Sequence, residues 1–65
     1  MNQHFIFLSK EATLVPQSLN DPDASAIVRS LLQQDFNLLP SNLTAGSSKE
    51  ALERYWSTHN NNVIG

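Results

Sequence analysis

A chain of 65 residues holds one domain and no more. It has no cysteine, which excludes disulfides and thiolate zinc sites. Four basic residues (Lys10, Arg29, Lys49, Arg54) against six acidic ones give a net charge of −2, a poor match to the basic stripe with which nucleic-acid binders neutralise phosphates.

A domain this small buries only about 60% of the surface its unfolded chain exposes, so disulfides, a metal or association often reinforce such folds. Here association remains, with a second copy or with another protein. Charged residues make up 15% of the chain, against about 25% in ordinary domains. Asn, Ser and Gln take their place, a surface compatible with protein–protein contact. The start, Met1-Asn2-Gln3-His4, lacks the positive segment of a secretory signal. No apolar stretch approaches the roughly 20 residues of a membrane span. The expectation is a cytoplasmic protein, a single domain over 1–65.

Phe5-Ile6-Phe7-Leu8 is a continuous apolar run. It fits a strand over about 4–8 that is buried on both faces, or a strand at a dimer seam. Ser9-Lys10-Glu11 is turn-like, and Ala12-Thr13-Leu14-Val15 reads as a second strand over 12–15, ended by Pro16. That hairpin would have a loop of about three residues, yet the loop lacks the Gly or Asn such a loop favours. A single strand followed by an irregular segment is the alternative.

The next element is a helix over 22–35. Asp21 is placed to cap it, Pro22 suits the first helical position, and Asp23 complements the dipole. Ala24, Ile27, Val28, Leu31 and Leu32 form one apolar stripe at helical spacing, which Phe36 extends. Leu39 precedes a proline and marks a break. The segment from Leu38 to Gly46 reads as a connector, with a short helical turn at Pro40–Leu43 that tucks Leu43 under the core. A second helix over 48–59 opens on a capping box, Ser47 with Glu50. It carries the i,i+4 pairs Lys49–Glu53 and Glu50–Arg54. Ala51, Leu52, Tyr55, Trp56 and His59 line its broad face. Asn60-Asn61-Asn62 closes it, leaving a flexible tail over 60–65.

The expected fold is therefore α+β, a short N-terminal strand or hairpin packed on two amphipathic helices. Its chemistry is sparse. His4 and His59 have no ligand spacing around them, and a lone D-x-D at Asp21–Asp23 lacks the rest of a calcium loop. There is no glycine-rich phosphate loop, and a closed pocket of a few hundred Å³ is hard to build at this size. No catalytic residue, cofactor, metal or small-molecule substrate is expected, and no membrane partner. The expected function is a small non-enzymatic interaction or regulatory protein acting by protein–protein binding, as a homodimer or with another protein. Phe5, Phe7, Tyr55, Trp56 and His59 are the candidate partner-binding residues, since Trp and Tyr dominate interface hot spots. The same side chains also suit a core. The alternative is a small DNA-binding transcriptional regulator of strand–helix–helix type, a reading weakened because Phe5–Leu8 offers no polar groups to base edges.

Overall fold

The computed structural model describes residues 2–60, with the side chains of 59 and 60 excepted. Five elements follow one another as β1 (Gln3–Lys10), β2 (Thr13–Ser18), α1 (Ala24–Gln33), β3 (Asn37–Ala45) and α2 (Ser48–Asn60). The strands form one antiparallel sheet in the order β2-β1-β3. The fold is α+β, as the sequence implies, but with three strands.

The apolar run Phe5–Leu8 is apolar because β1 is the central strand. Both its edges are paired, Phe5 with Ser18 on β2 and with Leu43 on β3. Both its faces are covered too. Side chains alternate along a strand, and Phe5 and Phe7 point into a cluster with Ala45 and Ala51, flanked by Leu14, Leu39, Leu43, Leu52 and Tyr55. That is the side on which α2 lies. The alternate residues look the other way: Ile6 lines a groove with α1, and the Lys10 ammonium lies 6.0 Å from the ring centroid of Phe36, just beyond α1. One helix thus answers each face. Phe5, Phe7 and Leu8 are all fully buried, at 1%, 0% and 0% exposure.

The hairpin forms, but with a two-residue loop, Glu11-Ala12, since Lys10 pairs with Thr13. Glu11 takes φ 55°, so the left-handed position the loop demands is filled by a residue with a β-carbon. β2 does not stop at Pro16 but runs through it to Ser18. An edge strand tolerates a missing donor.

The largest departure from expectation is β3. The segment 37–45 is neither a connector nor a helical turn; it is a nine-residue strand. Its register shifts between Ile6↔Asn42 and Leu8↔Leu38, so β3 carries two extra residues beside Pro40. A bulge of that kind is where a proline can enter a sheet. Because the insertion is even, the alternation survives it, and Leu39, Ser41, Leu43 and Ala45 are the more buried positions. Since β2 and β3 both run antiparallel to β1, they are parallel to each other, and α1 crosses over between them with β1 inserted in the gap. The strand–helix–helix order considered from sequence is not the order of this chain.

The helix ends show how local chemistry sets the boundaries. α1 begins at Ala24, two residues later than expected, after a turn built by Asp21. The Asp23 N–H donates to Asp21 Oδ1 at 2.8 Å and the Ala24 N–H to the Asp21 carbonyl at 3.0 Å. At the other end, the Phe36 N–H reaches the Leu31 carbonyl and the Asp35 N–H reaches that of Leu32, at 3.0 and 3.2 Å. This is a Schellman cap with Asp35, at φ 71°, in the place glycine usually takes. α2 starts as the capping box predicts, with the Glu50 N–H on Ser47 Oγ at 3.2 Å. The Glu50 carboxylate, however, reaches past Ser47 and accepts from the Gly46 N–H. Arg54 then pairs with Glu50 at 3.5 Å and donates to the Thr44 carbonyl at 3.0 Å, tying α2 to β3.

Two positive-φ residues with β-carbons imply a measurable result. A left-handed conformation costs an ordinary residue roughly 1 kcal/mol, so Glu11→Gly stabilises the fold by about 0.5–1 kcal/mol, and Asp35→Gly by less, because Asp tolerates this region. Urea midpoints of the two variants against the parent measure it; a destabilised Glu11→Gly contradicts the turn geometry.

Candidate functional site

The sequence offered five candidate partner-binding residues, and the structure separates them. Phe5 and Phe7 are core residues with no surface to present. Tyr55 is half-buried and stacks on Phe7, ring centroids 4.7 Å apart at 40°. Trp56 meets Tyr55 edge-on at 5.4 Å, and 49% of it is exposed. The side chain of His59 and the tail beyond residue 60 lie outside the described residues. Phe5 and Phe7 of β1, Leu39 and Leu43 of β3 and the Tyr55 ring of α2 converge in one cluster, while Leu38 stays 53% exposed. What they build is the interior of the domain.

The surface that stands out lies on the opposite side. α1 carries five apolar residues in a wide arc, and only Ala24 is buried. Ile27, Val28 and Leu31 are half-buried, and Leu32 is 46% exposed. The stripe is broader than the strip of sheet beneath it. Its uncovered shoulder, Val28 and Leu32, forms one wall of a groove of about 590 Å³. Ile6 contributes from β1, Leu19 and Pro22 from the segment before the helix, and Asp21 and Arg29 add one charge of each sign. Leu19, at the β2 exit, is 48% exposed. It is held there by its backbone, whose N–H donates to the His4 carbonyl at 2.7 Å, while the His4 N–H donates to Asn20 Oδ1 at 3.1 Å. The groove is open along its length rather than closed over. A domain of this size does not enclose such a space, but it can leave one between a helix and a sheet.

A second depression is polar. Gln3, Gln17, Ser18, Asn20, Asp21 and Ser48 line it. Its groups largely satisfy one another: Ser18 Oγ donates to Gln3 Oε1 at 2.6 Å, Gln17 Nε2 to the Ser18 carbonyl at 3.0 Å, and the Asn20 N–H to Ser18 Oγ at 3.1 Å. His4 Nε2 lies 3.2 Å from Asn42 Oδ1 across β1 and β3. These contacts lock the ends of strands together. Among the described residues no group of three or more His, Asp or Glu gathers as a metal site would require, and no helix is long and apolar enough to cross a membrane.

Sequence reasoning missed the groove because it assigned the whole α1 stripe to the core. The available signal was the width of that stripe: Val28 and Leu32 lie toward one flank of an arc whose other flank is Ile27 and Leu31. Comparison with known protein families, with curated proteins and with solved structures finds no significant match.

Proposed function

We propose that this chain is a small non-enzymatic interaction or regulatory protein that acts by binding a protein chain, and that it binds in the groove between α1 and β1. The observation that carries this reading is the apolar shoulder of α1. Leu32 and Leu19, both nearly half-exposed, flank a concave surface with Ile6, Pro22 and Val28 at its walls. Contiguous exposed apolar surface with a polar rim is characteristic of protein contact sites, and here Asp21 and Arg29 supply the rim. An open groove also suits an apolar helix or loop better than a small substrate, which binding pockets enclose by 70–90% as a rule.

The test uses the folded chain as bait in an extract of the cells that express it. Leu32→Asp and Trp56→Ala are exposed substitutions that leave the core intact. Proteins other than the chain itself that the parent captures are lost with Leu32→Asp and kept with Trp56→Ala. Capture that survives Leu32→Asp but fails with Trp56→Ala transfers the function to the aromatic end of α2 and overturns this reading.

A further inference from the structure

The two free edges of the sheet differ in what their backbones offer. The Leu19 N–H donates to the His4 carbonyl at 2.7 Å. The backbone groups of His4, Ile6 and Leu8 therefore face β2, and those of Gln3 and Phe5 face β3. Their partners on β3, Ala45 and Leu43, point inward. Asn42 and Thr44 turn their N–H and C=O groups to the outer edge. The Thr44 carbonyl agrees with this, because it accepts from Arg54 Nη1 at 3.0 Å. Burial alternates without a break through the bulge, with Leu38, Pro40, Asn42 and Thr44 all exposed, so Pro40 faces outward too. By the same alternation the outer edge of β2 belongs to Leu14, Pro16 and Ser18. The Ser18 carbonyl is already held by Gln17 Nε2 at 3.0 Å, and Pro16 has no N–H. That edge has little left to offer a strand.

Proline guards β3 as well, but leaves one register open. Consider a second β3 laid antiparallel to the first, with a two-fold axis beside Asn42. Asn42 meets its own copy, and the pair exchanges N–H···O bonds in both directions. Thr44 meets the second copy's Pro40, whose carbonyl accepts the Thr44 N–H. The reverse bond would need a donor on Pro40 and an acceptor on Thr44. Pro40 has no such donor, and Arg54 already holds the Thr44 acceptor, so the two gaps coincide. Other registers do worse. One that sets Pro40 against Asn42 leaves the Asn42 carbonyl without a donor, a costly state for a covered polar group. One that sets Asn42 against Thr44 competes with Arg54 for the Thr44 carbonyl. We infer that β3 is a self-association edge, through which two copies of this chain join their three-stranded sheets into one, with Asn42 on the two-fold axis. Strand addition draws its affinity from main-chain hydrogen bonds, and isologous contacts are the commonest among soluble oligomers. Only the β2 edges remain outside, so assembly stops at the dimer. The seam is separate from the groove beside α1.

Sedimentation of the whole chain from micromolar to near-millimolar concentration tests it, with circular dichroism to confirm folding. The parent is expected to form dimers at the upper end and nothing larger. Asn42→Lys sets like charges directly opposite each other at the axis, and the dimer weakens about fivefold or more. Asn42→Glu does the same with the opposite sign. Mixing the two variants restores the dimer, because in this register position 42 faces itself. Amide hydrogen exchange of the parent gives a second reading. Asn42 and Thr44 gain protection at the higher concentration, while Leu14 on the β2 edge does not. Should the Asn42 variants fail to fold, this comparison decides alone. A parent that stays monomeric, Asn42 and Thr44 amides that exchange equally fast at both concentrations, or folded variants that do not associate on mixing each overturn the inference. So does a dimer broken by Leu32→Asp and indifferent to Asn42→Lys, which would move the second copy to the groove. Leu32-dependent capture of a different protein by a monomeric parent sinks the β3 seam alone and leaves the groove's protein-binding role standing.

Discussion

Phe7→Ala leaves the chain largely unfolded at room temperature. Removing a buried phenylalanine costs about 3–5 kcal/mol, and a single core of this size seldom supplies more than about 3–5 kcal/mol in all. Phe7 is fully buried, belongs to the cluster with Ala45 and Ala51, and stacks against Tyr55. Ala45 and Ala51, the small buried members of its cluster, are too short to fill the space it leaves. Far-ultraviolet circular dichroism of the variant reports the loss directly. The milder Phe7→Leu, expected to cost about 1–2 kcal/mol, keeps a measurable urea transition. A folded Phe7→Ala with a near-parental midpoint contradicts the placement of α2 over this ring.

The second large effect is on the other face of the same strand. Leu8→Ala costs about 2–5 kcal/mol. Leu8 is as buried as Phe7 but lies outside the Phe5–Phe7 cluster, on the face that α1 covers. Were β1 covered on one face only, Leu8 would be an exposed position and its truncation would change stability by less than about 0.5 kcal/mol. Urea unfolding separates these outcomes. Hydrogen exchange adds the direction: in Leu8→Ala the amides of α1 lose protection before those of α2, whose packing partner is untouched.

These two residues also show how much of the fold could be read in advance. Phe5-Ile6-Phe7-Leu8 announces a strand with no solvent face, and the sequence pattern left open whether a second copy or the chain itself covers it. The answer lay in β3, which was hidden. Leu39 and Leu43 are spaced four apart, a spacing that satisfies one helical turn as well as a strand with Ser41 between. Pro40 made the strand reading look worse still, because a sequence does not display the bulge that accommodates it. The helices were plain, since a stripe and a cap are local features. Even so, α1 starts two residues late because Asp21 spends its carboxylate on a turn ahead of the helix. The end of α1 was harder, for a Schellman cap on Asp35 carries none of the glycine signal that marks one. The groove was the least legible part. It depends on how much of a helix a three-stranded sheet can cover, a relation between elements that no single stretch of residues encodes. The aromatic residues favoured as a binding face were conspicuous for their size, and size is also what a small core needs.

The central position of β1 has a consequence for synthesis. Of the described strands, β1 leaves the ribosome first, yet its second neighbour, β3, ends at Ala45 and α2 at Asn60. At about 5–20 residues per second, the hairpin of β1 and β2 waits for seconds with Phe5 and Phe7 uncovered and one edge unpaired. Pairing β1 with β3 closes a loop of some thirty residues, the step that long-range strand contacts make slow. The nascent chain, not the finished domain, is therefore the form most exposed to aggregation and most dependent on chaperones, although the completed fold guards both of its own edges with proline.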